Sequence, residues 1–471
     1  GGVVASIMLA AFGAELHSAS AHAPSQSQAT STAAAQERHT PKPYVQLEHP
    51  SWSRDAVLYQ INVRQFSDSG SFKAVEDALP RLEALGVDIL WLMPIHPIGK
   101  LNRKGSLGSY YAVQDYRAVN PEFGTLDDLK SLVAAAHARG MHVILDWVAN
   151  HTAWDNVLVE SHPDWYERDE AGNFKPTPWV DWSDIIDLDF SKPGLRRYMA
   201  DAMAYWVRDV GIDGFRADVA GYVPLDVWEE LRRELDAIKP VFMLAEWETR
   251  DLHARAFDAT YGWSFANALQ SIADGAGADA LFGYYSGHHS TWPKDGYRMS
   301  FTSNHDYNSW HGTDAELYGD AFSALTVMTF VAEGIPLIYN GQEAGLDKRL
   351  AFFEKDPIAW QPHANSALYK TLTSLKHSVK ALHNGTAGAD MVYVANTAPK
   401  QVFSFTRFGA SDGIFAVLNL SAEPAEVHFT GTQHLGAYRD AFTGDNVVIN
   451  ADTHFNMPAW SWRIFTRQMS E

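Results

Sequence analysis

From residue 57 onward, the chain alternates between short apolar runs and longer stretches in which apolar residues recur every three or four positions. The runs "VLYQINV" (57–63), "VDILWLM" (87–93), "MHVILDW" (141–147), "IDGFRAD" (212–218) and "VFMLAE" (241–246) read as strands buried on both faces. "FDATY" (257–261), "RMSFTS" (298–303) and "PLIYN" (336–340) bring the series to eight. Between them lie amphipathic helices. Leu126, Leu129, Leu132, Val133 and Ala136 share one face, with Thr125 and Asp128 placed as a capping pair and Gly140 as the stop. Leu195, Met199, Ala202, Trp206 and Val210 repeat the period up to Gly211, and Trp228, Leu231, Leu235 and Ile238 repeat it up to Pro240. Eight strand–helix repeats predict an α/β fold, a (β/α)8 TIM barrel. An open doubly wound sheet would place a phosphate-binding glycine turn after its first strand. "NVRQFSDSG" has none, and "GAGADA" (275–280) follows a helical stretch instead.

Two segments break the alternation. The stretch 154–186 between the third and fourth strands is irregular and rich in Pro, Asp and Trp, which predicts a small inserted subdomain beside the barrel mouth. After residue 385 the period becomes two, in "MVYVAN", "VFSFTRF", "GIFAVLNL", "AEVHF", "NVVIN" and "SWRIFT". That pattern predicts an antiparallel β-sandwich without catalytic clusters, packed on the barrel. The expected division is a barrel over 51–150 and 191–384, an insert over 151–190 and a β domain over 385–471. The first 50 residues stand apart. "VVASIMLAAFGA" (3–14) and "SASAHA" (18–23) resemble the apolar core and cleavage site of a secretory leader, followed by a polar linker over 24–36. They predict a periplasmic or secreted protein whose folded part starts near Trp52.

Composition narrows the partners. With 37 basic and 57 acidic residues, the net charge of −20 repels phosphate backbones and anionic membranes, so no nucleic acid partner is expected. The leader-like run is too short to span a bilayer, so no stable membrane insertion is expected either. The absence of cysteine removes disulfides, thiolate nucleophiles and Cys-ligated zinc. Sixteen Trp and 19 Tyr supply flat faces of the kind that stack on sugar rings.

A barrel of this type carries its chemistry at the C-terminal ends of its strands. There the sequence supplies Asp146, Asn150 and His151 after the third strand, and Arg216 and Asp218 on the fourth. Glu246 follows on the fifth, and Asn304, His305 and Asp306 on the seventh. Carboxylates crowded together must split their protonation states, and a split pair flanking an acetal hydrolyses glycosidic bonds. In that assignment Asp218 is the nucleophile, held ionised by Arg216. Glu246, flanked by "FMLAEW", is the acid and then the base, and Asp306 binds sugar hydroxyls. Competing chemistries lack parts: "GYYSG" (283–287) has the wrong order for a nucleophile elbow, no H-E-x-x-H occurs, and "HH" (288–289) reads as a loop pair.

These stretches resemble the α-amylase family of glycoside hydrolases, glycoside hydrolase family 13, from residue 52 to 471. "DWVANH", "GFRADVA", "LAEWE", "FTSNHD" and "GIPLIYNGQE" (334–343) match in family order. "IDLDF" (186–190) resembles the motif of the family's inserted subdomain, and "GSYYAVQDY" (108–116) the segment whose tyrosine, here Tyr111, stacks under the scissile sugar. The resemblance implies retention of the α configuration on α-glucan or maltooligosaccharide substrates, with Asp218 as nucleophile, Glu246 as acid/base and Asp306 as transition-state stabiliser. It implies sugar contacts for His151, Arg216 and His305. Asn150 and Asp187 match calcium ligands of some members. However, "GYVP" (221–224) stands where many α-amylases place a Lys-His pair that helps hold calcium and the leaving side of the substrate. No cofactor is therefore expected to be required, and the short insert points to small maltooligosaccharides. The motifs leave open transfer to a sugar acceptor and cleavage of α-1,6 or sucrose-type bonds. A non-catalytic glycan-binding relative would have lost a carboxylate, and all three are present.

Overall fold

The computed structural model describes residues 39–470, so the leader-like segment and its linker lie outside the described residues. Eight parallel strands close into a barrel in chain order, the first pairing with the eighth. They run Leu58–Ile61, Ile89–Leu92, His142–Trp147, Gly214–Ala217, Phe242–Ala245, Ala259–Tyr261, Tyr297–Ser300 and Ile335–Tyr339. Each overlaps one of the eight apolar runs. The runs are apolar throughout because alternate residues serve different cores. Leu58, Ile89, Ile144, Leu244, Met299 and Leu337 share the cluster that fills the barrel. Their neighbours Tyr59, Leu90, Leu145, Met243 and Ile338 join the larger cluster beneath the helices.

The helix signals hold at the level of single hydrogen bonds. Thr125 and Asp128 form a reciprocal capping box on Leu126–Ala138. The helix Pro193–Tyr205 runs into one π-turn, Trp206–Val210, before Gly211 stops it in the left-handed region at φ 87°. The insert is a small two-stranded sheet, His151–Ala153 with Ile185–Asp187, plus the short helix Val157–Ser161. The C-terminal region is a six-stranded antiparallel sheet facing a two-stranded one across Phe415, Val417, Val427, Phe455 and Phe465. Its strands Gly436–Asp440 and His454–Met457 are ones the sequence pattern misses, since each is short and carries charged or polar side chains on its open face. Buried Arg407 ties this region to the barrel by donating to the carbonyls of Val331 and Ala332, both at 3.1 Å.

Two expectations need correction. The pair His288–His289 lies in the last turn of the helix Asp279–Thr291 rather than in a loop, and His288 is buried there. Packing on the barrel also begins before residue 51. Val45 is buried, the Gln46 amide donates to the Ala254 carbonyl, and His49 bonds Asp258 at 2.7 Å. Polar residues in that stretch concealed its docking, because beyond Val45 the contacts are mainly hydrogen bonds to the barrel.

Asp258 is fully buried and receives both His49 and Arg232, the latter at 2.9 Å. Arg232→Met would leave that carboxylate short of a partner, so urea unfolding should show a loss of about 3–5 kcal/mol with an unchanged m-value. The carboxylates of Asp258 and Asp295 outweigh burial and push the His49 imidazole up to about 9. A raised folded-state pKa stabilises fully below the unfolded value near 6.5, and that contribution disappears as pH rises through about 9. Stability should therefore fall between those two limits in the wild type, and His49→Gln should flatten this fall.

Candidate active site

Strand register builds the site. Asp146 of the third strand is level with Arg216 of the fourth, and Ala217 with Ala245 of the fifth, so the next residues, Asp218 and Glu246, emerge side by side at the rim. Gly214 makes this spacing possible. A Cβ there would stand 1.8 Å from the Phe242 carbonyl oxygen, and its φ of 149° is one that side chains avoid. Just past the rim, Val219 adopts φ 36° and ψ 51°, a strained conformation for a β-branched residue. That turn aims the Val219 amide at Glu246 Oε1, 2.8 Å away.

The Arg216 guanidinium is the hub, with none of its side chain exposed. It donates from Nη1 to Asp218 at 2.7 Å and to Asp146 at 3.2 Å, and its Nη2 lies 3.0 Å from Glu246. The Tyr261 hydroxyl accepts from Nε and Nη2. Asp146 is further fixed by donation from Trp91 and Tyr111, at 3.1 and 2.8 Å. Asp218 and Glu246 thus meet the two terminal nitrogens of one guanidinium.

One guanidinium cannot neutralise three buried acids and the half-buried Asp306 beside them, and their proton affinities rise accordingly. Burial pushes Asp218 up to about 6 against the opposing charge of Arg216, and Asp146 likewise. Glu246 goes to about 7, by burial with the Asp218 charge adding to it, and Asp306 to about 7, by burial with the Glu246 charge. Desolvation thus outweighs the ion pair at Asp218, while the charge of Arg216 keeps its carboxyl the more acidic of the Asp218–Glu246 pair. The histidines move the other way. Burial lowers His151 to about 3 and His305 well below its ordinary value, so both are neutral hydrogen-bonding groups. Asn150 donates to His151 Nδ1 at 3.0 Å and Gln60 donates to His305 Nδ1 at 2.6 Å, which leaves each Nε2 as the protonated, donating nitrogen, that of His305 3.5 Å from Asp306.

All seven residues expected to catalyse or bind sugar, Tyr111, His151, Arg216, Asp218, Glu246, His305 and Asp306, gather at this one place. Six of them line one cleft, and Arg216 lies beneath it. Tyr111 stacks on His305 with ring centres 5.3 Å apart. Sequence reasoning missed Tyr261 and Trp91, which the inward positions of the sixth and second strands could have signalled. It also missed the cleft walls Lys104, Trp182, Phe352 and Phe353, which lie in irregular loops that carry no periodic signal.

Asn150 and Asp187 do meet, but as a hydrogen-bonded pair. The Thr177 hydroxyl donates to Asp187, and the Asn150 amide donates to Thr177 at 3.1 Å and to Asp187 at 3.4 Å. Calcium takes six to eight oxygens with several carboxylates among them. Here one carboxylate, itself pushed up to about 6 by burial, faces an amide and a hydroxyl. Among the described residues no group of three or more His, Asp or Glu gathers around an ion-sized space. The donor set does not fit a tight calcium site.

Comparison with known proteins agrees with this geometry. The model of the alpha amylase catalytic domain matches residues 54–377. A protein of Haloarcula japonica named Alpha-amylase MalA is 31% identical over 447 residues, covering 89% of this chain and 63% of its own length. The chain thus spans somewhat less than two thirds of that relative. A cyclomaltodextrinase of a Bacillus species is 26% identical, with 79% of this chain and 74% of the relative covered. Among solved structures, a noncanonic maltogenic alpha-amylase from Thermotoga neapolitana superposes with a TM-score of 0.80 at 30% identity, covering 88% of this chain and 99% of that one. The matched span encloses the whole barrel, including the strand ends that carry Arg216, Asp218, Glu246 and Asp306, and on that ground the chain belongs to the alpha-amylase family of glycoside hydrolases.

Proposed function

We propose that the protein is a retaining α-glycoside hydrolase that cleaves α-1,4-linked glucose chains of the maltooligosaccharide type. The observation that carries this reading is the pair Asp218–Glu246, side by side on neighbouring strands and bridged by one buried arginine. Alpha-amylase and cyclomaltodextrinase relatives support the substrate class.

Asp218 attacks the anomeric carbon, and the bond to the leaving oxygen breaks as Glu246 delivers its proton there. The resulting glucosyl ester is then opened by a water that Glu246 deprotonates, which restores the α configuration and both carboxyl groups. Asp306 and the neutral His151 and His305 hold sugar hydroxyls and favour the distorted, positively charged ring. Tyr111 offers its face to the same sugar. Water and sugar hydroxyls compete for one ester, so products formed from maltoheptaose, with and without an added acceptor, separate hydrolysis from transfer.

Asp218→Asn should keep the fold and lose at least about 10⁴-fold in kcat, since an amide forms no ester. Near wild-type turnover of maltotetraose would rule out the nucleophile. Glu246→Gln should fail on sugar leaving groups yet recover partly with α-glucosyl fluoride, which departs without a proton. NMR of the first product should show the α anomer, and a β anomer would refute retention.

The pH profile follows from the shifted acids. Asp218 must be ionised and Glu246 protonated, so kcat/KM should trace a narrow bell with apparent limbs near 6 and 7 that belong to the coupled pair. Glu246→Gln assayed with the fluoride should lose the alkaline limb.

We also propose that folding is independent of calcium. Differential scanning calorimetry in excess chelator should leave Tm unchanged, whereas a fall that calcium reverses would show a tight site.

A further inference from the structure

The long loops after the second and eighth barrel strands do not stand apart over the cleft; they are joined. The Ser106 amide and hydroxyl both donate to the Glu354 carboxylate, the amide at 2.8 Å, and the Leu107 amide donates to the Phe353 carbonyl at 3.1 Å. Beneath the junction, buried Arg64 donates to the carbonyls of Leu107 and Gly108 on one loop and of Phe352 on the other. The two chains run so close that a Cβ on Gly105 would come within 2.5 Å of the Phe353 Cβ. On its other flank the same loop reaches the insert, where Lys104 Nζ donates to the Asp181 carbonyl at 2.8 Å. Insert, first loop and second loop thus form one continuous wall.

The strand order says which end of the cleft that wall closes. The second and eighth strands flank the first, and in a ring of eight the fifth lies diametrically across from the first. Glu246 follows the fifth strand. A residue that protonates the leaving oxygen must stand on the leaving-group side, so the wall stands on the side of the sugar that keeps its anomeric carbon. Phe352 belongs to the wall and stacks with Tyr111 and His305 inside it.

We propose that the cleft is a pocket blind at its glycone end, and that the enzyme acts on the non-reducing ends of glucan chains rather than on chain interiors. A chain continuing beyond the sugars held at that end would have to pass through the Ser106–Glu354 and Leu107–Phe353 bonds. This rests on the assignment of Asp218 and Glu246 made above.

The test compares maltoheptaose glycosides of p-nitrophenol with a free non-reducing end and with that end blocked as a 4,6-ethylidene acetal, with all products followed by chromatography. The free-ended substrate should be cleaved and the blocked one at least about 50-fold more slowly. The double variant Ser106→Ala/Glu354→Ala, checked for an unchanged circular dichroism spectrum, should narrow that ratio at least about fivefold by loosening the wall. Equal cleavage of both substrates by the wild type overturns the proposal and leaves the glycosidase reading standing. Cleavage of neither removes that reading and the proposal with it. A ratio that the double variant leaves unchanged overturns the wall as its cause.

Discussion

The site is organised around a cation that water cannot reach. Arg216 sits under the cleft with its fork divided among Asp146, Asp218 and Glu246. A buried guanidinium is costly unless every donor is met, and a buried carboxylate is costly unless its charge is balanced. Each of these groups is tolerable only because the others are present. The same arrangement supplies the chemistry, because one positive charge among several acids forces some of them to hold protons near neutral pH. Proton storage at Glu246 and ionisation at Asp218 are two consequences of one imbalance.

The scaffold has to hold that arrangement to within a hydrogen-bond length, and it does so with backbone rather than with loops. The third, fourth and fifth strands set Asp146, Arg216, Asp218 and Glu246 by register alone. Two local irregularities complete the job. Gly214 lets the fourth strand approach the fifth, and the strained turn at Val219 directs an amide to Glu246. That strain is sustained by the surrounding packing, since Val219, Ala220 and Val223 are all buried. Loops then decide what reaches the acids. The junction of residues 106–107 with 353–354 and the tie from Lys104 to the insert convert an open barrel mouth into a bounded cleft.

Much of this was legible in the chain. The eight runs of buried strands, the capping box at Thr125 and the period-two pattern after residue 385 gave the architecture, because strands buried on both faces and helices buried on one leave distinct periodicities. Asp218, Glu246 and Asp306 could be picked out because a barrel exposes strand ends, and acids there have few structural uses. The docking of residues 45–49 was not legible, since polar contacts such as His49–Asp258 leave no periodic trace. Nor was the effect of burial on Asp218, since a neighbouring arginine is visible in the chain whereas desolvation is not.

What the sequence determined by itself is therefore the set of elements, their order and the acids proposed to react, all of which follow from local periodicity and from short motifs. Tertiary structure alone decided how the groups share their charge, why Asn150 and Asp187 satisfy each other instead of gathering a cation's shell, and where the cleft ends. Those outcomes depend on distances between residues far apart in the chain: 70 positions separate Asp146 from Arg216, and 248 separate Ser106 from Glu354. Energies that fall off over a few ångströms, such as hydrogen bonds and desolvation, are fixed only when folding brings such partners together.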